Sequence, residues 1–198
     1  MRINRKTQSL PIKKLLICAL LVSGLVTYAG CAKKNTKNEC RIHGIVTDKS
    51  KEGKKIFLVP LTGAQDAAHV DSTVITGGKF EFTADTAEMK VIRLDYHFRD
   101  NVQELLVVSE PGDVYVTISS NSTTSGTPQN DSLQVWKNHI MAFGARFNEL
   151  RRSAHGGAIP DTLMTKLKAV QKEQLDYTHR MRDNMKRGVF YNFLKAGY

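Results

Sequence analysis

The sequence predicts an α+β chain: an antiparallel β-sandwich or partly open barrel of about seven strands, followed by an antiparallel helical hairpin. Three observations carry that expectation. Short alternating apolar runs recur about every ten residues between Arg41 and Ser119. The apolar period then changes to three and four residues from Leu133 onward, and a separate apolar stretch, residues 15–26, precedes both. The chain divides accordingly into an export signal over residues 1–30, a tether over 31–40, a β domain over 41–126 and a helical hairpin with an apolar tail over 127–198.

The first segment has the parts of a secretory signal. Arg2, Arg5, Lys6, Lys13 and Lys14 form a cationic start, residues 15–26 an apolar core, and Ala29-Gly30 the small residues that a peptidase needs against an extended backbone. Cys31 follows directly, so Tyr28-Ala29-Gly30-Cys31 resembles a bacterial lipobox, with Tyr where an aliphatic residue is usual. The resemblance implies cleavage between Gly30 and Cys31, diacylglycerol on the Cys31 thiol, and a membrane partner through that lipid anchor. An uncleaved transmembrane anchor competes with it, since no charge interrupts residues 15–32. Ser23, Gly24, Thr27 and Gly30 make that span a poor one. Both readings put the globular part outside the cytoplasm with its N-terminus at a membrane. Several acyl chains, at about 0.8 kcal/mol per buried methylene, anchor firmly, and residues 32–40 reach up to about 30 Å from the anchor.

Strand patterns follow at residues 42–46, 55–61, 72–76, 79–83, 90–96, 104–108 and 113–119. Gly77-Gly78 between Ile75 and Phe80 is a two-residue hairpin signal, and Glu110-Pro111-Gly112-Asp113 is a turn favoured by the φ preferences of Pro and Gly. Short strands with no helical pattern between them indicate a sandwich or barrel. Residues 119–130 are polar and read as a loop.

Leu133, Trp136, Ile140, Phe143, Phe147 and Leu150 then form one apolar seam of about five turns, and Leu163, Leu167, Val170, Tyr177, Met181 and Met185 form a second, interrupted at Gln174. Residues 153–160, with Gly156-Gly157, suit the turn of an antiparallel hairpin, and Asp161 or Thr162 is placed to cap the second helix. Lys166, Lys172, Arg180 and Arg187 lie opposite the seam, as on a solvated face.

Composition excludes several function classes. Removing the signal discards Cys18 and lipid consumes Cys31, which leaves Cys40 as the candidate free thiol and rules out an intramolecular disulfide framework. A lone cysteine opening a strand is more often simply a small packed residue. The full chain carries a net charge of +10, but residues 31–198 hold 24 basic and 19 acidic side chains, a net of +5. Basic and aromatic residues do not interleave, so nucleic acid is not an expected partner. Lys33, Lys34 and Lys37 suit anionic headgroups or a solvated linker alike. The histidines, His43, His69, His97, His139, His155 and His179, show no metal-ligand spacing, so no metal is expected. No phosphate loop, no Gly-x-Ser-x-Gly and no paired cysteines occur. Neither a catalytic residue nor a cofactor is expected.

The order of Gly44 in the first strand, Gly53-Lys54-Lys55-Ile56-Phe57-Leu58, Asp71-Ser72-Thr73, Gly78-Lys79-Phe80-Glu81-Phe82 and Glu110-Pro111-Gly112-Asp113 resembles a domain of unknown function. That domain stands N-terminal to the thioredoxin-like part of Bacteroidetes thiol-disulfide oxidoreductases of the TlpA and ResA type. The family pattern continues into a Cys-x-x-Cys thioredoxin domain, which this sequence lacks. The same comparison makes Ser72, Thr86, Ser132 and Thr162 candidates for O-glycosylation, because Asp71-Ser72-Thr73, Asp85-Thr86-Ala87, Asp131-Ser132-Leu133 and Asp161-Thr162-Leu163 resemble Bacteroidetes glycan-attachment tripeptides. These tripeptides are also ordinary turn and cap chemistry.

The expected function is that of a lipid-anchored cell-envelope protein, a non-catalytic binding or interaction module with an envelope protein partner such as a separately encoded thioredoxin-like protein. Two other readings stand beside it. A truncated or degenerate oxidoreductase remnant is favoured by the apolar tail, residues 189–194, unless that tail folds as a short third helix over the hairpin. A structural subunit of a surface assembly would use an exposed edge strand. Ala32-Lys33-Lys34 lacks the acidic cluster of surface-exported Bacteroidetes lipoproteins, which points to the periplasmic side of the outer membrane.

Overall fold

The computed structural model of the chain describes residues 38–94, 105–153 and 160–197. Gly30, Cys31, His97, His155 and the hairpin turn at Gly156-Gly157 lie outside them. No helix among the described residues is long and apolar enough to cross a membrane.

Eight strands are present among the described residues: β1 (Cys40–Val46), β2 (Lys55–Pro60), β3 (Asp71–Val74), β4 (Lys79–Ala84), β5 (Met89–Arg93), β6 (Leu105–Val108), β7 (Gly112–Ile118) and β8 (Thr123–Ser125). Helices α1 (Pro128–Arg152), α2 (Asp161–Met185) and α3 (Val189–Gly197) follow. The fold is α+β, as the periodicity predicts. The strands form two sheets, ordered β4-β1-β7-β8 and β3-β2-β5-β6. The two hydrogen-bond ladders stay separate, so the sheets make a sandwich and not a closed barrel.

Strict alternation builds the space between them. Cys40, Ile42, Gly44 and Val46 on β1, Phe80, Phe82 and Ala84 on β4, and Val114, Val116 and Ile118 on β7 point inward and are buried. Ile56, Leu58, Ile92, Leu105 and Val107 of the second sheet meet them in one core cluster. Gly44 is required there for space. It faces Phe80 across the β1–β4 ladder, and a Cβ on it would lie 2.0 Å from the Phe80 ring.

Two features of the sheets depart from the sequence expectation. The pair β1–β7 is parallel, within an otherwise antiparallel pattern. Strand β8 falls inside the segment that reads as a loop, because its inward residue is the polar Thr124. The Gly77-Gly78 hairpin forms as expected, with φ of 60° and 70° suited to a primed turn. Its strands then join opposite sheets, held beyond the turn by the single bridge Thr76–Lys79.

The outer face of the second sheet supports a second cluster. Met89 and Val108 pack with Leu133, Trp136, Phe190 and Leu194 from the helices. The apolar tail is therefore α3, with Phe190 and Leu194 both at 0% exposure. Helix α2 has no side-chain cap: Pro160 occupies the N-cap position, and Asp161 is the first helical residue, where its charge complements the helix dipole.

Asn130 fastens the helical layer to both sheets. Its Oδ1 accepts from the Val108 N–H at 2.9 Å and from the Thr124 hydroxyl at 3.1 Å, while its Nδ2 donates to the Val108 carbonyl and to Thr127 Oγ1, each at 2.8 Å. One buried amide thus closes the edge strands β6 and β8 against each other, with all of its bonding capacity used.

Hydrogen bonds also orient the helices. Gly112 N–H donates to the Glu39 carbonyl, and the Gln129 N–H and side chain both donate to Glu110, so α1 begins at the end of the sandwich where β1 begins. The helix then follows β8: Gln134 accepts from Thr124 N–H, and Lys137 donates to the Ser122 carbonyl at the far end. At 1.5 Å per residue, the remaining part of α1 extends about 20 Å beyond that level. Helix α2 returns to the first end, where the Gln129 side chain accepts from the Phe190 N–H at 3.0 Å.

Candidate interaction face on the open sheet

Helices cover the β5–β6 side of the second sheet, and the alternation of β1, β4 and β7 gives the first sheet a polar outer face. Arg41, His43 and Ile45 project from β1, Glu81 from β4, and Asp113 and Tyr115 from β7. Register brings them into rows: Arg41 opposes Asp113, and His43 lies between Glu81 and Tyr115.

The rows are tied together. The Arg41 guanidinium donates to both Asp113 oxygens, at 2.8 and 3.0 Å. The His43 ring has Glu81 Oε1 at 3.2 Å from Nδ1 and Asp113 Oδ1 at 3.1 Å from Nε2; a neutral ring can donate from only one of those nitrogens. The ring also stacks on Tyr115, with centroids 5.5 Å apart. The bonds from Arg41 and then from His43 hold the Asp113 carboxyl well below the usual carboxylate range. Tyr115 remains 55% exposed and Ile45 50% exposed, so an aromatic and an aliphatic surface stand beside a fixed charged cluster. That combination can stack on or hydrogen-bond to a partner with little ordering cost.

Residues singled out by the sequence are dispersed. Cys40 is free and buried at 1% exposure. Burial, reinforced by Glu110 and Asp113, pushes its thiol up to about 11. Ser72 is exposed on β3. Thr86, also exposed, donates to Glu88 at 3.0 Å and lines a cleft of about 410 Å³ with Asp85 and Lys90. The Ser132 hydroxyl donates to the Pro128 carbonyl within α1, and Thr162 is exposed in the first turn of α2. The structure brings no two of these together. His69 bonds Asp66 at 2.6 Å, His139 lies against Tyr177, and only His43 joins the cluster described above. Among the described residues no group of three His, Cys, Asp or Glu side chains is placed to hold a metal ion.

The sequence reading did not pick out Arg41, Asp113 or Tyr115. The available signal was the set of outward positions on two strands, but their juxtaposition depends on a parallel pairing 72 residues apart in sequence.

No curated protein and no solved structure matches the chain. A family model does: residues 40–133, from the first residue of β1 through the Asn130 fastening to the first turns of α1, match DUF4369, a domain of unknown function.

Proposed function

We propose that the protein is a lipid-anchored cell-envelope module that binds another envelope protein and carries out no chemistry of its own. The observation that carries this reading is the asymmetry of the sandwich. Helices cover the β5–β6 side of one sheet, and the other presents Tyr115 and Ile45 beside an ordered Arg41–Asp113–His43 cluster. An aromatic next to a fixed arginine is the composition of an interface hot spot. The anchor rests on Tyr28-Ala29-Gly30-Cys31, and the expected setting is the periplasmic side of the outer membrane in a Bacteroidetes cell. The resemblance of the β-strand motifs to the N-terminal domain of TlpA- and ResA-type oxidoreductases suggests a thioredoxin-like partner. The remnant reading loses the support of its apolar tail, since α3 spends Phe190 and Leu194 inside the fold. The structural-subunit reading draws on β3, a short edge strand with Val74 47% exposed.

A photo-crosslinking residue at position 115, compared with one at Thr162 on the hairpin, tests the binding reading in native membranes. Partner adducts confined to position 115 and lost in an Arg41→Ala background are expected. Equal adducts at both positions, or none at 115, would overturn it. Intact mass of the same protein, with and without Cys31→Ser, tests the anchor.

A further inference from the structure

Charge is unevenly divided between the two layers. Residues 40–127 hold 9 basic and 12 acidic side chains, whereas residues 128–198 hold 12 basic and 6 acidic ones. Part of the helical excess collects where α2 ends. Lys186 and Arg187 are both exposed, and neither forms an ion pair among the described residues. Nearby Arg182 is paired with Asp183 at 2.9 Å. Lys186 is also the only non-glycine residue with positive φ among the described residues, at 62°. It ends α2 in a left-handed turn where glycine is the usual residue. Tyr191, half-buried in the first turn of α3, follows four residues after Arg187.

This turn lies at a particular end of the molecule. Glu39 bonds Gly112, Glu110 bonds Gln129, and Gln129 bonds Phe190, so an unbroken series of contacts runs from the start of β1 to the turn at Lys186-Arg187. The described chain enters the fold here, at Asn38 and Glu39. The sandwich side of the same end is acidic, with Asp71 and Asp85 exposed around a cleft in which Lys90 pairs with Glu88 at 2.8 Å. An anionic surface would be repelled by that side and attracted by the helical side.

We propose that the α2–α3 turn is a headgroup-contact site for an anionic phospholipid surface: Lys186 and Arg187 supply the charge, and Tyr191 supplies an interfacial aromatic. The inference rests on attachment of the N-terminus to a membrane, as in the proposed function. Its consequence is an orientation. The helical side of the attached end lies on the membrane, while the open sheet and the hairpin tip remain free for a partner.

Amine acetylation of the full chain in vesicles tests this, read residue by residue by mass spectrometry. Vesicles of phosphatidylcholine alone are compared with vesicles that also contain phosphatidylglycerol. Lys186 is expected to react about five-fold more slowly in the anionic vesicles at low salt, and the difference should vanish at high salt. Lys79, at the opposite end of the sandwich, should react equally in both. Equal Lys186 rates in the two vesicles would overturn the proposal. Intact mass of the same samples reports acylation separately. An unacylated chain retaining its apolar N-terminal segment still attaches, so failure of the lipid-anchor reading and failure of this one are distinct results.

Discussion

Replacing Asn130 with alanine should be among the most damaging single substitutions in this fold. The side chain is at 0% exposure and satisfies both the N–H and the carbonyl of Val108, a residue also at 0% exposure. The hydroxyls of Thr124 and Thr127 can turn to other acceptors, but the Val108 backbone is fixed by its strand. The Val108 carbonyl still accepts from the Glu110 N–H at 3.0 Å, so one buried backbone donor is orphaned, at about 1–3 kcal/mol, which gives a loss of about 2 kcal/mol. That is a large share of the total stability of an ordinary domain. Urea unfolding should show the loss as a lower midpoint with unchanged slope, and hydrogen exchange should show the Val108 amide losing more protection than the distant amides of β1. Ser132→Ala, which removes a hydroxyl bonded only to its own helix, should change stability by under about 0.5 kcal/mol. A loss below about 1 kcal/mol for Asn130→Ala, or a Val108 amide as protected as in the wild type, would refute the fastening role.

Gly44→Ala places a methyl group 2.0 Å from the Phe80 ring and should cost about 1–3 kcal/mol in the same unfolding assay, with part of that recovered by adding Phe80→Leu; purely additive costs would contradict the clash. Arg41 and His43 depress the Asp113 carboxyl, so the native state binds fewer protons there than the unfolded chain does. This contribution is fully present above the unfolded value of about 3.9 and is lost as pH falls further, through the depressed native value. Asp113→Asn should therefore flatten the fall of stability below about pH 4. The Cys40 thiol, buried and pushed up to about 11, should resist iodoacetamide at neutral pH until the protein unfolds; rapid alkylation of the folded chain would contradict its burial. Lys186→Gly relieves a left-handed non-glycine residue and should raise stability by about 1 kcal/mol, measured as a higher thermal midpoint.

Wherever one face of an element is apolar, the strands and helices were legible in the sequence. The strict alternation Phe80-Glu81-Phe82-Thr83 and the seam Leu133, Trp136, Ile140, Phe143 each locate an element within a few residues. Strand β8 was hidden because Thr124 is buried through a hydrogen bond to Asn130, and a polar residue satisfied by a distant partner leaves no apolar mark. Helix capping was misplaced for a related reason: Asp161 has the composition of a cap, yet it is the first helical residue and Pro160 takes the N-cap position. The polar cluster on the first sheet was illegible. Arg41, His43, Asp113 and Tyr115 are unremarkable singly, and only their register makes them a cluster.

By itself, the sequence determined what depends on near neighbours. Periodicity set the α+β class and most element positions, Gly77-Gly78 set a tight turn, and Tyr28-Ala29-Gly30-Cys31 set the expectation of an anchored chain. Tertiary structure alone decided what depends on pairing across long separations: the parallel β1–β7 ladder, the split of a hairpin between two sheets, the packing of α1 and α3 on β6 and β5, and the polar face of the other sheet. Burial drives each strand to hide one face, but alternation carries no record of which strand will lie beside it.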